Sequence, residues 1–118
     1  MKIKRWGTYL VNLNPAVGTK PAKKRPVLVI QSDTLNDDGH LSTVILPISS
    51  RTRKTDNALP LCVPIPAGEA GLVKDSVILV DQILTWDNRF FMSQLGFLSD
   101  KKIKEVTQAF QDFFEGLV

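Results

Sequence analysis

Apolar and polar positions alternate in short blocks over most of this chain, then change to a longer period near its end. Residues 9–13 alternate and predict a first strand, closed by Asn14-Pro15. Residues 27–31 open on an unbroken apolar run, Val27-Leu28-Val29-Ile30, and predict a strand buried on both faces. Further strands are predicted over 43–48, 59–63 and 76–80, the last continuing or bending at Asp81 into 82–85. Gly18 and Pro21 mark 16–24 as a loop, and 49–57 read as a polar, basic loop. Pro64, Pro66 and Gly68 end the fourth strand. Residues 32–40 are turn chemistry with room for one short helical turn.

The longer period begins near residue 100. Ser99 or Asp100 can cap a helix by accepting a free backbone N–H. Ile103, Val106, Phe110, Phe113, Phe114 and Leu117 then recur on one helical face. Many short strands followed by one helix predict a mostly β (α+β) domain: a small β-barrel or twisted sheet with a C-terminal helix. At 118 residues, positions 1–118 read as one domain. No apolar run approaches the roughly 18 residues of a membrane span. Residues 1–6 are basic but lack the apolar core of a secretory signal. Cys62 is the only cysteine, which excludes an internal disulfide and fits a reducing, cytoplasmic setting. One Cys and one His do not make a Cys/His zinc site, so no metal is expected.

Charge adds a direction. The net charge is +3, but residues 1–54 carry +7 and residues 55–118 carry −4. Two of the basic clusters abut predicted strands, which suggests a face for a polyanion. Lys23-Lys24-Arg25-Pro26 is the sharper cluster. Pro26 fixes its own φ and pushes Arg25 toward an extended conformation at the mouth of the apolar strand. A guanidinium held there suits phosphate, because its planar fork bonds two oxygens at once. A lone surface Arg-Pro would be a plain solvated loop. Ser49-Ser50, directly after the third strand, either bond turn backbone or donate to a phosphate oxygen. If the second and third strands pair with these ends adjacent, Arg25 and Ser49 flank one pocket.

Asp75 and Asp81 bracket the fifth strand, about 20 Å apart when extended, too far for a carboxylate pair. Asp87 and His40 are candidate proton acceptors in polar turns, where a structural or solvated role is the default. Trp6, Trp86, Phe90 and Phe91 can stack on bases, although core packing explains an aromatic more often. No phosphate-cradling loop, dinucleotide fingerprint, zinc-protease motif or serine-hydrolase elbow is present, so no cofactor is expected.

Taken in order, six segments resemble the MazF/PemK family of toxin endoribonucleases of type II toxin–antitoxin systems. They are residues 7–15 from Gly7 to Pro15, Val17-Gly18-Thr19, residues 24–31 around Arg25-Pro26, Pro47-Ile48-Ser49-Ser50, residues 72–82 ending Asp81-Gln82, and Gly96-Phe97-Leu98-Ser99. The resemblance implies an SH3-like β-barrel with a C-terminal helix, of the CcdB/PemK type, acting as a homodimer. It implies metal-independent, sequence-specific cleavage of single-stranded mRNA, with Arg25 and Ser49 as the catalytic pair. It also implies a cognate antitoxin with an acidic, disordered segment.

Cleavage without metal would use the ribose 2′-OH as nucleophile and leave 2′,3′-cyclic phosphate and 5′-OH ends. Arg25 stays protonated, so the base is Asp87, His40, water or the RNA itself. Lys20, Lys23, Lys24, Ser50, Arg51, Arg53, Lys54, Gln82 and Trp86 are the expected RNA contacts. The chain departs from the family pattern at Thr8, where an acidic residue is common, at Lys20-Pro21, where Glu-Gln is common, and at Leu84, where Arg or Lys is common. The alternatives are a gyrase-inhibiting toxin of the CcdB type, or a relic that keeps only antitoxin or RNA binding.

Overall fold

The apolar run around Leu28 lies in the middle of a sheet. In a computed structural model that describes residues 1–13, 24–50 and 61–117, strand β2 (Lys24–Val29) pairs antiparallel with β1 (Gly7–Asn12) and with β3 (Ser42–Ser50). Beyond β3 come β5 (Ser76–Leu79) and then β4 (Cys62–Ile65); beyond β1 comes β7 (Phe91–Phe97). A short strand, β6 (Leu84–Asp87), pairs with the early half of β3. The result is an antiparallel seven-stranded sheet with the pairing order β4-β5-β3-β2-β1-β7. Helix α1 (Asp33–Asp37) is the predicted helical turn, and helix α2 (Asp100–Phe113) closes the chain.

Side chains alternate across a strand, so β2 feeds two cores. Leu28 packs with Leu46, Ile48, Ile78 and the helix residues Val106 and Ala109. Val27 and Val29 pack on the other face with Tyr9, Val11, Ile45 and Phe91. Burial of such side chains stabilises by about 1.5–3 kcal/mol each, so β2 is anchored from both sides. Helix α2 is capped by Ser99, whose hydroxyl accepts the Lys102 N–H. Its buried side is centred on Val106 and Ala109, flanked by Ile103 and Phe110. The predicted stripe runs too far, since Phe113 is the last helical residue and both it and Leu117 are exposed.

Several predicted boundaries shift, each for a physical reason. β2 starts at Lys24, so Arg25 sits inside the strand opposite Val11 rather than at its mouth. β3 runs on through Ser49 and Ser50 because β5 supplies partners for both. Pro64 does not end β4 but lies within it; β4 is an edge strand, where a missing N–H is tolerated. Of the two readings of residues 82–85 the bend holds: the chain turns at Val80-Asp81 before β6 begins at Leu84. β7 was not predicted at all; it is an edge strand with two register shifts against β1.

Candidate active site

The β2–β3 ladder ends at the Val27–Pro47 pair, which leaves Arg25 and Ser49 just beyond it on neighbouring strands. Ser49 in turn pairs with Val77 on β5, and Arg25 pairs with Val11 on β1. Next to them Asn12 pairs with Lys24, and Ser50 pairs with Ser76. By strand alternation Arg25 and Ser49 project from the same face as Val27 and Val29.

These residues line a cleft of about 430 Å³, formed by Lys24, Arg25, Pro26, Ile48, Ser49 and Ser50 with Leu72, Val73, Lys74 and Ser76. Among the described residues the lining carries three cations and no carboxylate. Arg25 is half-buried, and its Nε is buried with no hydrogen-bond partner among the described residues. A buried N–H of that kind is costly unless something accepts from it. An anion in the cleft would do so.

The loop from Pro66 to Asp75 forms the far wall. The Thr8 hydroxyl, fully buried, donates to the Ala70 carbonyl at 2.6 Å. Asp75 Oδ1 accepts the Ala67 N–H at 2.9 Å, and the Ser76 hydroxyl donates to the Lys74 carbonyl at 2.9 Å. Gly71 has φ +73° and lies against the Leu95 backbone, where a Cβ has no room. Thr8 is thus a buried clamp on this loop.

The other expected site residues are elsewhere or outside the described residues. His40 and Asp87 line a different cleft, with Asn36, Leu41, Asn88 and Arg89. The His40 ring Nδ1 lies 2.8 Å from the Ser42 carbonyl, and Asp87 pairs with Ser42. Ser42 and Ser49 stand seven residues apart on β3, so these candidates sit at the other end of that strand from Ser49. Arg89 hydrogen-bonds the Asp87 carboxylate and holds its pKa below the ordinary aspartate value, which weakens it further as a base. Gln82 is exposed beyond the end of β5 opposite to Ser76. Trp86 lies opposite Thr43, and its indole N–H donates to the Asn12 carbonyl at 3.0 Å. Leu84 packs beside it against the second core. Lys20, Lys23, Arg51, Arg53 and Lys54 fall outside the described residues. Lys74 lines the cleft and was not singled out from the sequence; its signal lay only in the pairing of β5 with the end of β3.

A family model described as "PemK-like, MazF-like toxin of type II toxin-antitoxin system" matches residues 4–114. The chain belongs to this family. An "Endoribonuclease MazF" of Staphylococcus saprophyticus is 38% identical over 107 residues, covering 91% of this chain and 87% of the relative. Among solved structures, MazF of Deinococcus radiodurans superposes with a TM-score of 0.76 at 22% identity, over 97% of each chain. The Mycobacterium tuberculosis toxin MazF-mt6 gives 0.74 at 22% identity, over 92% of this chain and 96% of that one. A MazE–MazF complex of Deinococcus radiodurans gives 0.75 at 21% identity, over 98% of each. The family resemblance carried by the Arg25-Pro26 and Ser49-Ser50 segments is therefore borne out along nearly the whole chain. No helix among the described residues is long and apolar enough to cross a membrane.

Proposed function

We propose that this toxin-family protein is an endoribonuclease that cuts single-stranded mRNA at a short sequence without a metal ion, using Arg25 and Ser49. The observation that carries the reading is the Arg25 guanidinium, whose buried Nε lacks a partner among the described residues, on one cationic cleft with Ser49. The ribose 2′-OH attacks the adjacent phosphorus and the bond to the 5′ oxygen breaks. The products carry 2′,3′-cyclic phosphate and 5′-OH ends. Negative charge builds on the phosphorane oxygens, and Arg25 and Ser49 donate to them from fixed positions. Preorganised donors of this kind each contribute roughly 10²-fold or more to rate. Among the described residues the cleft lining holds no histidine or carboxylate; water or an RNA group takes the 2′-OH proton, and water returns one to the departing 5′ oxygen.

The same reading makes the protein a cytoplasmic homodimer, with its sheet curled into an SH3-like barrel. Its antitoxin carries an acidic, disordered segment that the cationic cleft attracts and orders on binding. The MazE–MazF complex of Deinococcus radiodurans supports a partner of this type. The test is to incubate the purified protein with a long RNA in EDTA and map the ends. Discrete cuts with 5′-OH termini are expected. Intact RNA, or cuts that EDTA abolishes, would overturn the reading.

A further inference from the structure

Lys74 has no role in the catalytic pair, yet the fold places it on the same cleft. It is exposed, and its ammonium has no ion-pair partner among the described residues. Its sequence neighbour Asp75 would be the natural counter-charge, but that carboxylate is engaged with the Ala67 N–H on the loop. The Lys74 main chain is fixed from two sides. Its carbonyl accepts the Ser76 hydroxyl, and Ser76 is locked into the sheet opposite both Ser50 and Ile65. One step up the loop, Ala70 is held by Thr8 and Gly71 by the Leu95 backbone. A long cationic side chain is therefore carried by a rigid base on the same cleft as Arg25, whose Nε has no partner among the described residues.

Resting on the reading of the cleft as an RNA-cleavage site, we propose that Lys74 binds the phosphate next to the one on which Arg25 and Ser49 act. It holds the strand in register across the cleft, while the planar Arg25 fork is reserved for the reacting phosphate. The chemistry favours this division. A lysine ammonium is a compact point charge that follows a flexible phosphate, whereas a guanidinium fixes geometry. Val73, exposed at the lip beside Lys74, leaves the approach free of competing charge.

The experiment separates binding from cutting. A single-stranded DNA 20-mer of mixed sequence lacks the 2′-OH, so it reports binding alone. Its affinity is measured by fluorescence anisotropy between 0.05 and 0.5 M salt for the parent, Lys74→Gln and Lys74→Arg; cleavage of a long RNA is followed in parallel. Each phosphate contact on a single strand contributes about 0.7 to the slope of log K against log salt. Lys74→Gln should flatten the slope by about that amount, equivalent to a loss of about fivefold in affinity at 0.1 M salt relative to 1 M. Lys74→Arg should restore it. In cleavage, Lys74→Gln should raise KM with kcat retained. An unchanged slope in Lys74→Gln, or a fall in kcat with KM retained, overturns the Lys74 assignment. Failure of the parent itself to cut RNA overturns the activity reading, and the DNA slope still decides whether Lys74 touches phosphate.

Discussion

Arg25 and Ser49, carried by adjacent antiparallel strands, line one cleft, and the guanidinium Nε of Arg25 has no partner among the described residues. Because β2 is held by core packing on both faces, the side chain can be removed without dismantling its support. Arg25→Ala should lower the cleavage rate by about 10²-fold or more while unfolding free energy stays within about 0.5 kcal/mol of the parent. Ser49→Ala should behave similarly, and Ser49→Thr, which keeps the hydroxyl, should remain active. Single-turnover cleavage beside urea denaturation checks all three. An active Arg25→Ala protein would remove Arg25 from the mechanism.

His40 and Asp87 sit at the opposite end of β3 from this pair. His40→Ala and Asp87→Asn should each fall well short of the roughly 10²-fold loss that follows removal of a general base. Rates are normalised to the folded fraction, since Asp87 also accepts the Arg89 N–H at the start of the Asn88–Phe90 turn. A loss of that size in either variant would place a base there after all.

The loop wall of the cleft makes a stability prediction. Gly68 and Gly71 both have positive φ, but only Gly71 lacks room for a Cβ. Gly68→Ala should cost about 1–2 kcal/mol from the left-handed backbone alone. Gly71→Ala should cost more, because the Leu95 backbone must also move. Thr8→Val keeps the shape but strands the Ala70 carbonyl, at about 1–3 kcal/mol. Urea midpoints and slopes measure all three, and equal costs at Gly68 and Gly71 would contradict the packing described.

Asp33 predicts an acid response. Its carboxylate accepts the Arg5 N–H at 2.8 Å and the Asn36 amide at 3.2 Å, and the Arg5 bond is the main reason its pKa lies below the ordinary value. The folded pKa is thus below the unfolded one, so its contribution is complete well above about pH 4 and is lost as pH falls through the depressed value. Asp33→Asn should be less stable than the parent at neutral pH, with the difference closing in acid. Denaturation of both proteins between about pH 2.5 and 7 tests the sign.

The sequence made the centre of this molecule legible and its margins obscure. The apolar run over residues 27–30 pointed to a strand with both faces covered, which holds as far as Val29, and the Arg25 and Ser49 candidates followed from the ends of two predicted strands. β7 escaped because an edge strand need not alternate: Met92, Ser93 and Gln94 are all exposed in succession, across a register shift. Lys74 escaped because its place depends on Ser50 pairing with Ser76, a long-range register that no local pattern encodes. The same limit applied to His40 and Asp87, whose chemistry was suitable and whose distance from Arg25 was invisible until β3 was traced.

The pairings that build the cleft take residues from β1, β2, β3 and β5, so the site exists only once the last of these has joined. Such non-local pairings form slowly compared with helical contacts. During synthesis, Arg25 and Ser49 leave the ribosome well before Ser76 and Lys74. A nascent chain therefore holds one side of the cleft without the other. The order of the strands works as a built-in delay, because the cleft is assembled only after β5 has been made.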